Sequence, residues 1–267
     1  MSDWRPKLIA TDMDGTLLRW DDTVSPATVA ELERWRDDGV PIVVATGRPP
    51  RWMRKIREVL GFGTAVCCNG AVLLDLAEFE ILDQEPLDPP VLQEVTAGLR
   101  RREPETWFAV EYGLEFRHEP IYRPRWDVDA PGVSVAPLEQ LIAAPVAKLL
   151  ARHERLDRDA FLALVEDVVG DRATVTVSSS DALAEISARG VTKASGLAKV
   201  AARHGVDPAD VVVFGDMPND IAAFEWVRAA GGRAVAMAHA HPDLLAAATD
   251  VTGTNEEDGV AAFLRSL

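Results

Sequence analysis

Two aspartates one residue apart, Asp12 and Asp14, are followed by a glycine and a hydroxyl in the stretch Asp12-Met13-Asp14-Gly15-Thr16. The apolar run Leu8-Ile9-Ala10 comes directly before them, so the two carboxylates stand where a buried strand is predicted to end. Carboxylates in such a position can attack an electrophile, transfer a proton or bind a metal ion. This stretch therefore marks a candidate catalytic site.

Two further runs that favour buried strands also end in polar side chains. Residues 40–45 lead into Thr46-Gly47-Arg48, and residues 211–214 lead into a loop that carries two more aspartates. In an open parallel sheet, ligands bind beyond the carboxyl ends of the strands, so groups far apart in sequence can meet there. We therefore expect one site to hold Asp12, Asp14, Thr46, Asp216, Asn219 and Asp220.

A set of carboxylates this close together requires positive charge, because ionised carboxylates repel one another strongly. Ligand sets made only of oxygen suit a hard cation, and Mg²⁺ is the usual choice where phosphate is also bound. Lys193, at the start of a predicted helix, is a candidate for a fixed positive charge. The residues alone thus indicate a magnesium site.

The elements that must position these residues fall into two kinds. Strands and helices alternate at both ends of the chain, which favours a parallel sheet with helices on both faces. From about Pro86 prolines are frequent and strand candidates outnumber helix candidates, which favours an α+β unit with an antiparallel sheet. We predict an α/β fold, with a Rossmann-like core domain over residues 1–84 and 189–267 and an inserted α+β domain over residues 85–188.

Composition limits the partners of the protein. The 267 residues carry a formal net charge of −15, with a pI near 4.8, and an acidic surface repels the phosphate backbone of nucleic acids. No apolar run reaches the roughly 18 residues that suggest a membrane helix, and the first residues show no secretory signal pattern. We expect a cytoplasmic protein with no nucleic-acid or membrane partner, in which the adjacent Cys67 and Cys68 are reduced.

Four motifs, in order, resemble those of the haloacid dehalogenase superfamily of phosphohydrolases. The first, Asp-x-Asp-Gly-Thr, is matched by residues 12–16, and the second, a Thr that closes a hydrophobic strand, by Thr46. The third, a lysine, is matched by Lys193, and the fourth, Gly-Asp-x-x-Asn-Asp, by residues 215–220. The first motif alone is a weak signal because Asp and Gly also form ordinary turns. Four motifs in order make the resemblance specific.

The spacing of the motifs assigns a subclass. About 30 residues separate the first motif from the second, too few for a cap domain, whereas almost 150 separate the second from the third. This is similar to the Cof-type branch with a C2-type (IIB) cap, which Asn69-Gly70-Ala71 and Glu257-Asp258-Gly259-Val260 also resemble. Two loops depart from that branch: Ala194 stands where glycine is frequent, and Met237-Ala238-His239-Ala240 replaces Met-Gly-Asn-Ala.

The resemblance implies a role for each motif residue. Asp12 would attack phosphorus and form an aspartyl-phosphate, and Asp14 would protonate the leaving oxygen and then activate water. Thr46 and Lys193 would complete the catalytic set by binding the transferring group. The implied metal ligands are Asp12, Asp14 through its main-chain carbonyl, Asp216 and Asp220. The implied substrate- and phosphate-binding residues are Thr46, Gly47, Arg48, Asn69, Arg189, Lys193 and Asn219.

The function predicted in this way is that of a Mg²⁺-dependent phosphomonoester hydrolase. Its substrate would be a small phosphorylated metabolite similar to a sugar phosphate, chosen by the cap domain, and the protein would be a monomer or a small homo-oligomer. Two alternatives stay open: a phosphomutase of the same superfamily, and a non-catalytic binding or regulatory protein on this fold.

Several residues also have a plainer interpretation. Thr46-Gly47-Arg48 could cap a helix, Asn69 could serve only as a turn residue, and Arg48 and Arg189 could form surface ion pairs. The five histidines show no metal-ligand spacing, so His239 and His241 are expected to be solvated loop residues. A group of aromatic residues in the middle region favours that domain's own core over a substrate-stacking surface: Trp107, Phe108, Tyr112, Phe116, Tyr122 and Trp126.

Overall fold

The computed structural model describes residues 4–124, 131–177 and 182–267. The chain divides into two compact units. The first unit comprises Met1–Arg48, Trp52–Asp83 and Thr192–Leu267, and the second comprises Pro49–Arg51 and Gln84–Val191. The chain therefore leaves the first unit after Asp83 and returns to it at Thr192.

Strands and helices are numbered here in chain order within the described residues. The strands are β1 (Leu8–Asp12), β2 (Ile42–Ala45), β3 (Thr64–Cys67), β4 (Val72–Asp75), β5 (Ile81–Gln84), β6 (Trp107–Tyr112), β7 (Glu115–His118), β8 (Val133–Val135), β9 (Lys148–Arg152), β10 (Ala173–Thr176), β11 (Leu183–Ala188), β12 (Val211–Gly215), β13 (Arg233–Ala236) and β14 (Asp250–Val251). The helices are α1 (Pro26–Asp37), α2 (Arg54–Leu60), α3 (Pro89–Arg102), α4 (Leu138–Leu141), α5 (Arg158–Val169), α6 (Lys193–His204), α7 (Ile221–Ala230), α8 (Pro242–Ala247) and α9 (Gly259–Arg265).

An eight-stranded sheet forms the centre of the first unit, in the order β14-β13-β12-β1-β2-β3-β4-β5. Neighbouring strands from β14 to β3 are parallel, whereas β3 and β4 are antiparallel. All residues of β1, β2 and β12 are buried. Their near-continuous apolar sequences are those of strands in a parallel sheet, which is normally covered on both faces. The three strands that precede the candidate site residues are therefore adjacent, with β1 between β12 and β2.

Helix α6 begins at Lys193 because Thr192 caps it. The Oγ1 of Thr192 accepts a hydrogen bond from the backbone N of Ser195 at 3.2 Å, and the backbone N of Thr192 donates to Oγ of Ser195 at 3.0 Å. This reciprocal pair satisfies two backbone N–H groups at the helix start. The side chains of Leu197 and Val200 hold the helix on the sheet within the main apolar cluster. The cap and this packing together fix the position of Lys193.

The same helix is tied to the last strand before the second unit. Lys199 of α6 places its Nζ 3.1 Å from Oδ2 of Asp83 in β5. One turn further, Arg203 donates from Nη2 to the carbonyl oxygen of Leu82 at 3.2 Å. The strand by which the chain leaves the first unit and the helix by which it returns are therefore neighbours.

A six-stranded sheet forms the centre of the second unit, in the order β10-β11-β9-β6-β7-β8. Its strands pair antiparallel except for β7 and β8, which are parallel. Phe108 and Val110 of β6 pack with apolar residues of α3 and α5, so these helices cover one face. Since side chains alternate along a strand, Ala109 and Glu111 point to the opposite face.

That opposite face carries buried charges. Arg51 donates from Nε and Nη2 to the two carboxylate oxygens of Glu111, both at 3.0 Å, and the two side chains are only 8% and 4% exposed. Lys148 in β9 lies 2.7 Å from Oε2 of Glu185 in β11. Removing such charges from water is costly, so each has to be matched by a partner.

The aromatic residues of this unit serve mainly as its core. Phe108 packs under the helices, Phe116 and Tyr122 form a smaller cluster with partly buried Trp107, and Tyr112 is exposed. Trp126 lies outside the described residues. The prediction of a domain core agrees with the buried members of the group.

The predicted fold class is confirmed by a mainly parallel sheet in the first unit and a mainly antiparallel sheet in the inserted unit. The sequence does not predict β8 or α4, because three or four residues are too few to show a strand or helix period. No helix within the described ranges has the length and apolar character needed to cross a membrane.

Candidate active site

The chain turns sharply after β1, in a turn over Met13–Leu17 in which Asp14 and Gly15 have non-helical backbone angles. Gly15 lies in this turn with a φ of 74°, in the left-handed region that favours glycine. A Cβ atom at Gly15 would lie 2.4 Å from Oδ2 of Asp216, which is too close for any real contact. The glycine of the first motif therefore allows the end of β1 to approach the end of β12.

Three buried carboxylates meet at these strand ends. Asp12, Asp216 and Asp220 each offer one oxygen, and these oxygens all lie within 4.8 Å of one another. Lys193 places its Nζ 2.5 Å from Oδ1 of Asp12 and 2.6 Å from Oδ1 of Asp220. The structure thus brings together four residues that stand in three separate parts of the sequence.

Hydrogen bonds orient two of the carboxylates. The Oδ2 of Asp220 accepts from the backbone N of Asp216 at 3.2 Å and of Met217 at 3.1 Å. Thr16 donates from Oγ1 to Oδ1 of Asp216 at 3.2 Å. Asp220 therefore pairs with Lys193 through one carboxylate oxygen and binds the backbone of its own loop through the other. It neutralises the lysine and stabilises the loop conformation.

Burial shifts the protonation equilibria of this group. Burial raises the pKa of Asp12 well above its ordinary value; Lys193 opposes the shift, and Asp220 and Asp216 add to it. Burial, followed by Asp220, also raises the pKa of Asp216, against the hydrogen bond from Thr16. Burial alone would lower the pKa of Lys193, but Asp12 and Asp220 raise it above its ordinary value. The lysine is thus held in its charged form, and full ionisation of the carboxylates requires more positive charge.

The donor set fits a magnesium ion. Three carboxylates and one ammonium group leave two formal negative charges in a buried space, which a divalent cation would offset. The available donors are all oxygen, as a hard cation prefers. Asp12, Asp216 and Asp220 are therefore the side chains that would hold the ion.

Asp14 does not belong to this carboxylate group. Its side chain is half exposed and pairs with Arg48, whose Nε lies 3.1 Å from Oδ2 of Asp14. The Nη2 of Arg48 contacts Oδ1 of Asp14 and also lies 2.9 Å from Oδ1 of Asp22. The two aspartates of the first motif thus have different surroundings, since Asp12 is buried beside Lys193 and Asp14 lies at the surface beside an arginine.

Thr46 is fully buried directly after β2. Its Oγ1 accepts from the backbone N of Arg48 at 3.0 Å, and its carbonyl oxygen accepts from the backbone N of Asn69 at 3.0 Å. Gly47, which stands between Thr46 and Arg48 in the sequence, is half-buried. The hydrogen bond to Arg48 N closes a local turn and does not cap a helix, because the next helical residues begin at Pro50. The position at the strand end matches a phosphate contact.

Asn69 and Asn219 are joined directly. The Nδ2 of Asn219 donates to Oδ1 of Asn69 at 3.3 Å, and the Oδ1 of Asn219 is buried with no hydrogen-bond partner among the described residues. Next to Asn69, Gly70 has a φ of 114°, and a Cβ there would lie 2.1 Å from the carbonyl oxygen of Thr192. The turn after β3 therefore packs against the start of α6, next to Lys193.

Arg189 lies in the second unit, unlike the other predicted site residues. It is exposed in the turn that follows β11, within the second unit, and no ion pair to it is formed among the residues that the structure describes. The remaining predicted side chains, from Asp12 to Asp220, belong to the first unit. A substrate contact from Arg189 stays a prediction.

His239 corrects an expectation from the sequence. It is not a solvated loop residue: its side chain is 24% exposed, and its Nε2 lies 2.9 Å from the carbonyl oxygen of Gly15. The ring also packs edge-on against Trp20, with centroids 5.2 Å apart. His241 is exposed at the start of α8, as expected. The signal that marks His239 is its place in a loop that departs from the Met-Gly-Asn-Ala pattern.

Comparison with known proteins settles the family. Residues 9–264 match the model of the haloacid dehalogenase-like hydrolases. The chain belongs to this family. It is 30% identical over 270 residues to the 5-amino-6-(5-phospho-D-ribitylamino)uracil phosphatase YitU of Bacillus subtilis, covering 98% of this chain and 97% of that protein. The motifs predicted this membership correctly.

Two further proteins are similar to this haloacid dehalogenase-like hydrolase over almost their full length. The pyridoxal phosphate phosphatase YbhA of Escherichia coli is 28% identical, over 97% of this chain and 98% of that protein. The crystal structure of TM0651 from Thermotoga maritima superposes with a TM-score of 0.81 at 22% identity, over 98% of this chain and 97% of that chain, which shows the shared fold. The protein is accordingly a phosphatase of the haloacid dehalogenase superfamily.

Proposed function

We propose that this phosphatase is a Mg²⁺-dependent phosphomonoester hydrolase that acts on a small phosphorylated metabolite through an aspartyl-phosphate on Asp12. The observation that carries the proposal is the buried group of Asp12, Asp216 and Asp220 around Lys193. It combines a nucleophile, a fixed cation and a fitting set of metal ligands in one place, and phosphoryl transfer is catalysed mainly by positioning and charge stabilisation.

In the first step Asp12 is the nucleophile. Its carboxylate attacks phosphorus, a bond forms between the Asp12 oxygen and phosphorus, and the bond from phosphorus to the leaving oxygen breaks. The ammonium of Lys193, 2.5 Å from Asp12, stabilises negative charge on the transferring group. A bound Mg²⁺ would supply further positive charge that favours the ionised form of Asp12 and offsets the charge of the phosphate.

Asp14 is the proton carrier in this proposal. It gives a proton to the leaving oxygen in the first step; in the second step it takes a proton from water, which attacks phosphorus and releases Asp12 and inorganic phosphate. Arg48 contacts the Asp14 carboxylate through two nitrogens. Arg48 therefore positions Asp14 and stabilises the carboxylate that forms when the proton has left.

Thr46, Gly47, Asn69 and Asn219 are proposed to bind the phosphate. Thr46 stands at the end of β2, next to β1, and the two asparagines are joined by a hydrogen bond. The buried, unsatisfied Oδ1 of Asn219 supports a role toward a ligand or water, because such a group is costly to leave without a partner.

The substrate proposed is a small soluble phosphate ester. The two phosphatases named above, YitU and YbhA, act on phosphorylated small molecules, as their names state, and the charge of −15 disfavours nucleic acid. The choice among such esters is assigned to the inserted unit, with residues 85–188 as the proposed cap domain and Arg189 as a further candidate contact. A cytoplasmic location and a monomeric or small homo-oligomeric state remain predictions.

Phosphate release by the purified protein tests this proposal. The measurement uses an aryl phosphate and a panel of phosphorylated metabolites, each with and without Mg²⁺, for the wild type, Asp12→Asn and the control Asp37→Asn. Asp37 is exposed at the end of α1, so its variant controls for the loss of one charge. We expect release only with Mg²⁺, in the wild type and the control. Wild-type release no greater than that of Asp12→Asn across the panel would contradict the proposal.

A further inference from the structure

We propose that Trp20 and His239 form a shelf in the first unit that binds a planar ring on the leaving group of the substrate. This inference rests on the proposed function and narrows its substrate class to phosphate esters of ring-bearing alcohols, preferably heteroaromatic ones. It depends on three features of the described residues: the anchoring of His239, the exposure of Trp20 and the absence of a partner for one ring nitrogen.

The His239 ring is fixed beside the reacting groups. Its Nε2 lies 2.9 Å from the carbonyl oxygen of Gly15, and a carbonyl oxygen only accepts hydrogen bonds, so Nε2 carries the hydrogen. The same nitrogen lies 3.9 Å from Oδ2 of Asp216. The ring therefore lies at the edge of the carboxylate group, within reach of a substrate bound there.

The other nitrogen of the ring is unsatisfied. The Nδ1 of His239 is buried and has no hydrogen-bond partner among the described residues. A buried polar atom without a partner is uncommon in native proteins, so its presence calls for a ligand or a water molecule. Because Nε2 carries the hydrogen, Nδ1 of the neutral ring accepts, so a ring N–H or a hydroxyl group of a substrate is the kind of group that can satisfy it.

Trp20 supplies the apolar surface. Trp20 is 66% exposed, although its ring packs edge-on against the ring of His239. The ring centroids lie 5.2 Å apart, and the ring planes meet at 64°. The segment that carries it is held at two consecutive residues: Trp20 N donates to Oε1 of Glu256 at 2.8 Å, and the side chain of Arg19 pairs with Asp258 at 2.9 Å. The indole is therefore presented to solvent by a fixed backbone, not by a loose end.

A planar ring is the ligand that this surface suits best. Aromatic faces stack on indole more favourably than a polyhydroxylated sugar or a linear polyol does, because stacking combines burial of apolar area with the attraction between ring quadrupoles. Because the Trp20 and His239 rings lie 5.2 Å apart, a planar ring stacked on Trp20 also lies beside His239. A ringless phosphate ester can use neither contact.

The test compares two substrates of different shape. Pyridoxal 5′-phosphate represents ring-bearing esters and glycerol 1-phosphate represents ringless ones, and the quantity measured is the ratio of their kcat/KM values. We expect the wild type to favour the ring-bearing ester. Trp20→Ala should lower the ratio about tenfold, mostly through KM for the ring-bearing ester, which corresponds to about 1.4 kcal/mol. Trp20→Phe, which keeps an aromatic face, should restore most of the ratio.

Two further variants complete the design. Val251→Ala removes exposed apolar surface from the edge strand β14, where the residue is 59% exposed, and should leave the ratio unchanged. His239→Asn removes the ring at the position where the related branch has asparagine, and should also lower the ratio.

The outcomes separate this inference from the proposed function. A wild type that hydrolyses ringless esters as well as ring-bearing ones would overturn the shelf and leave the phosphatase proposal intact. A ratio that is the same in Trp20→Ala as in the wild type would do so too. Loss of hydrolysis of both esters in the wild type, down to the rate of Asp12→Asn, would instead overturn the proposed function.

Discussion

Arg48 holds both oxygens of the Asp14 carboxylate: its Nη2 contacts Oδ1, and its Nε lies 3.1 Å from Oδ2. The pair joins a residue at the end of β1 to a residue just after β2, two adjacent parallel strands. In the proposed reaction, the proton carrier therefore has a fixed orientation before the substrate arrives. The neighbouring Asp22 shares the same guanidinium group at 2.9 Å.

The first prediction concerns this pair. Arg48→Ala should lower kcat/KM about 10- to 100-fold, because Asp14 loses the group that orients it, while the free energy of unfolding should change by less than about 1 kcal/mol for a partly exposed ion pair. Steady-state kinetics and chemical denaturation measure the two quantities. Asp22→Asn is the matched control: it removes the second partner of Arg48 and should reduce activity only a few-fold. Equal losses in both variants would show that Arg48 does not act through Asp14.

The second prediction concerns metal removal. Chelation should abolish hydrolysis, and added Mg²⁺ should restore it, because the buried carboxylates of Asp12, Asp216 and Asp220 then regain a compensating cation. Asp216→Asn should raise the Mg²⁺ concentration needed for half-maximal activity by about tenfold or more. The exposed Asp37 again provides a control, as Asp37→Asn should keep the wild-type Mg²⁺ dependence. Unchanged activity after exhaustive chelation would exclude the site as a required metal site.

The third prediction concerns Gly15. Gly15→Ala should inactivate the enzyme and destabilise it by about 1–3 kcal/mol, because the new Cβ would meet Oδ2 of Asp216 at 2.4 Å in a left-handed backbone conformation. Gly39→Ala is a close control: Gly39 has a φ of 83° but nothing within 4 Å of its Cβ position. Gly39→Ala should lose only the stability that corresponds to the strained backbone and should retain activity. Similar activities for the two variants would refute the importance of the close approach to Asp216.

The fourth prediction concerns Arg51 and Glu111 in the second unit. Arg51→Met should destabilise the protein by about 3–5 kcal/mol, because it removes two hydrogen bonds from a carboxylate that is almost fully buried. The double variant Arg51→Met/Glu111→Leu should recover most of this loss, since neither charge then remains. Denaturant unfolding of the single and double variants measures the difference. If the double variant is as unstable as the single one, packing around Arg51 dominates its contribution.

The fifth prediction concerns pH. Burial raises the pKa of Glu111 above its ordinary value, against the opposing effect of Arg51. The folded state therefore binds the proton more strongly than the unfolded state, so the contribution of Glu111 to stability is fully present below the ordinary glutamate pKa of about 4.3 and is lost as pH rises through the raised pKa of the folded state. The free energy of unfolding of the wild type should thus fall relative to that of Glu111→Gln as pH rises above about 4.3. A difference that grows in the opposite direction would contradict the shift.

Much of the site is predictable from the sequence because it depends on strand ends. Asp12 and Asp216 each follow a short apolar run, and parallel strands place such ends at one edge of the sheet, so their meeting follows from topology. Lys193 is predictable for a related reason, as a cation placed by a capped helix start. These inferences need only local patterns and one rule about sheets.

Side-chain partners across the chain are less predictable. The pairing of Asp14 with Arg48, and of His239 with Gly15, depends on the direction in which each side chain leaves its backbone, which sequence periodicity does not contain. For this reason the sequence predicts a solvated His239, which the structure corrects. The pairing of Arg51 with Glu111 joins residues 60 positions apart and belongs to no motif. The short strand β8 was missed because three partly exposed residues show no alternation.

The contact between β5 and α6, made by Lys199 with Asp83 and Arg203 with Leu82, has a consequence for the history of the chain. The chain leaves and re-enters the first unit through two elements that contact each other, β5 and α6, and neither of them carries Asp12 or Asp216. Insertions of different length and sequence are then tolerated at this junction. A lineage can exchange what lies between Asp83 and Thr192 while inheriting the reaction chemistry unchanged.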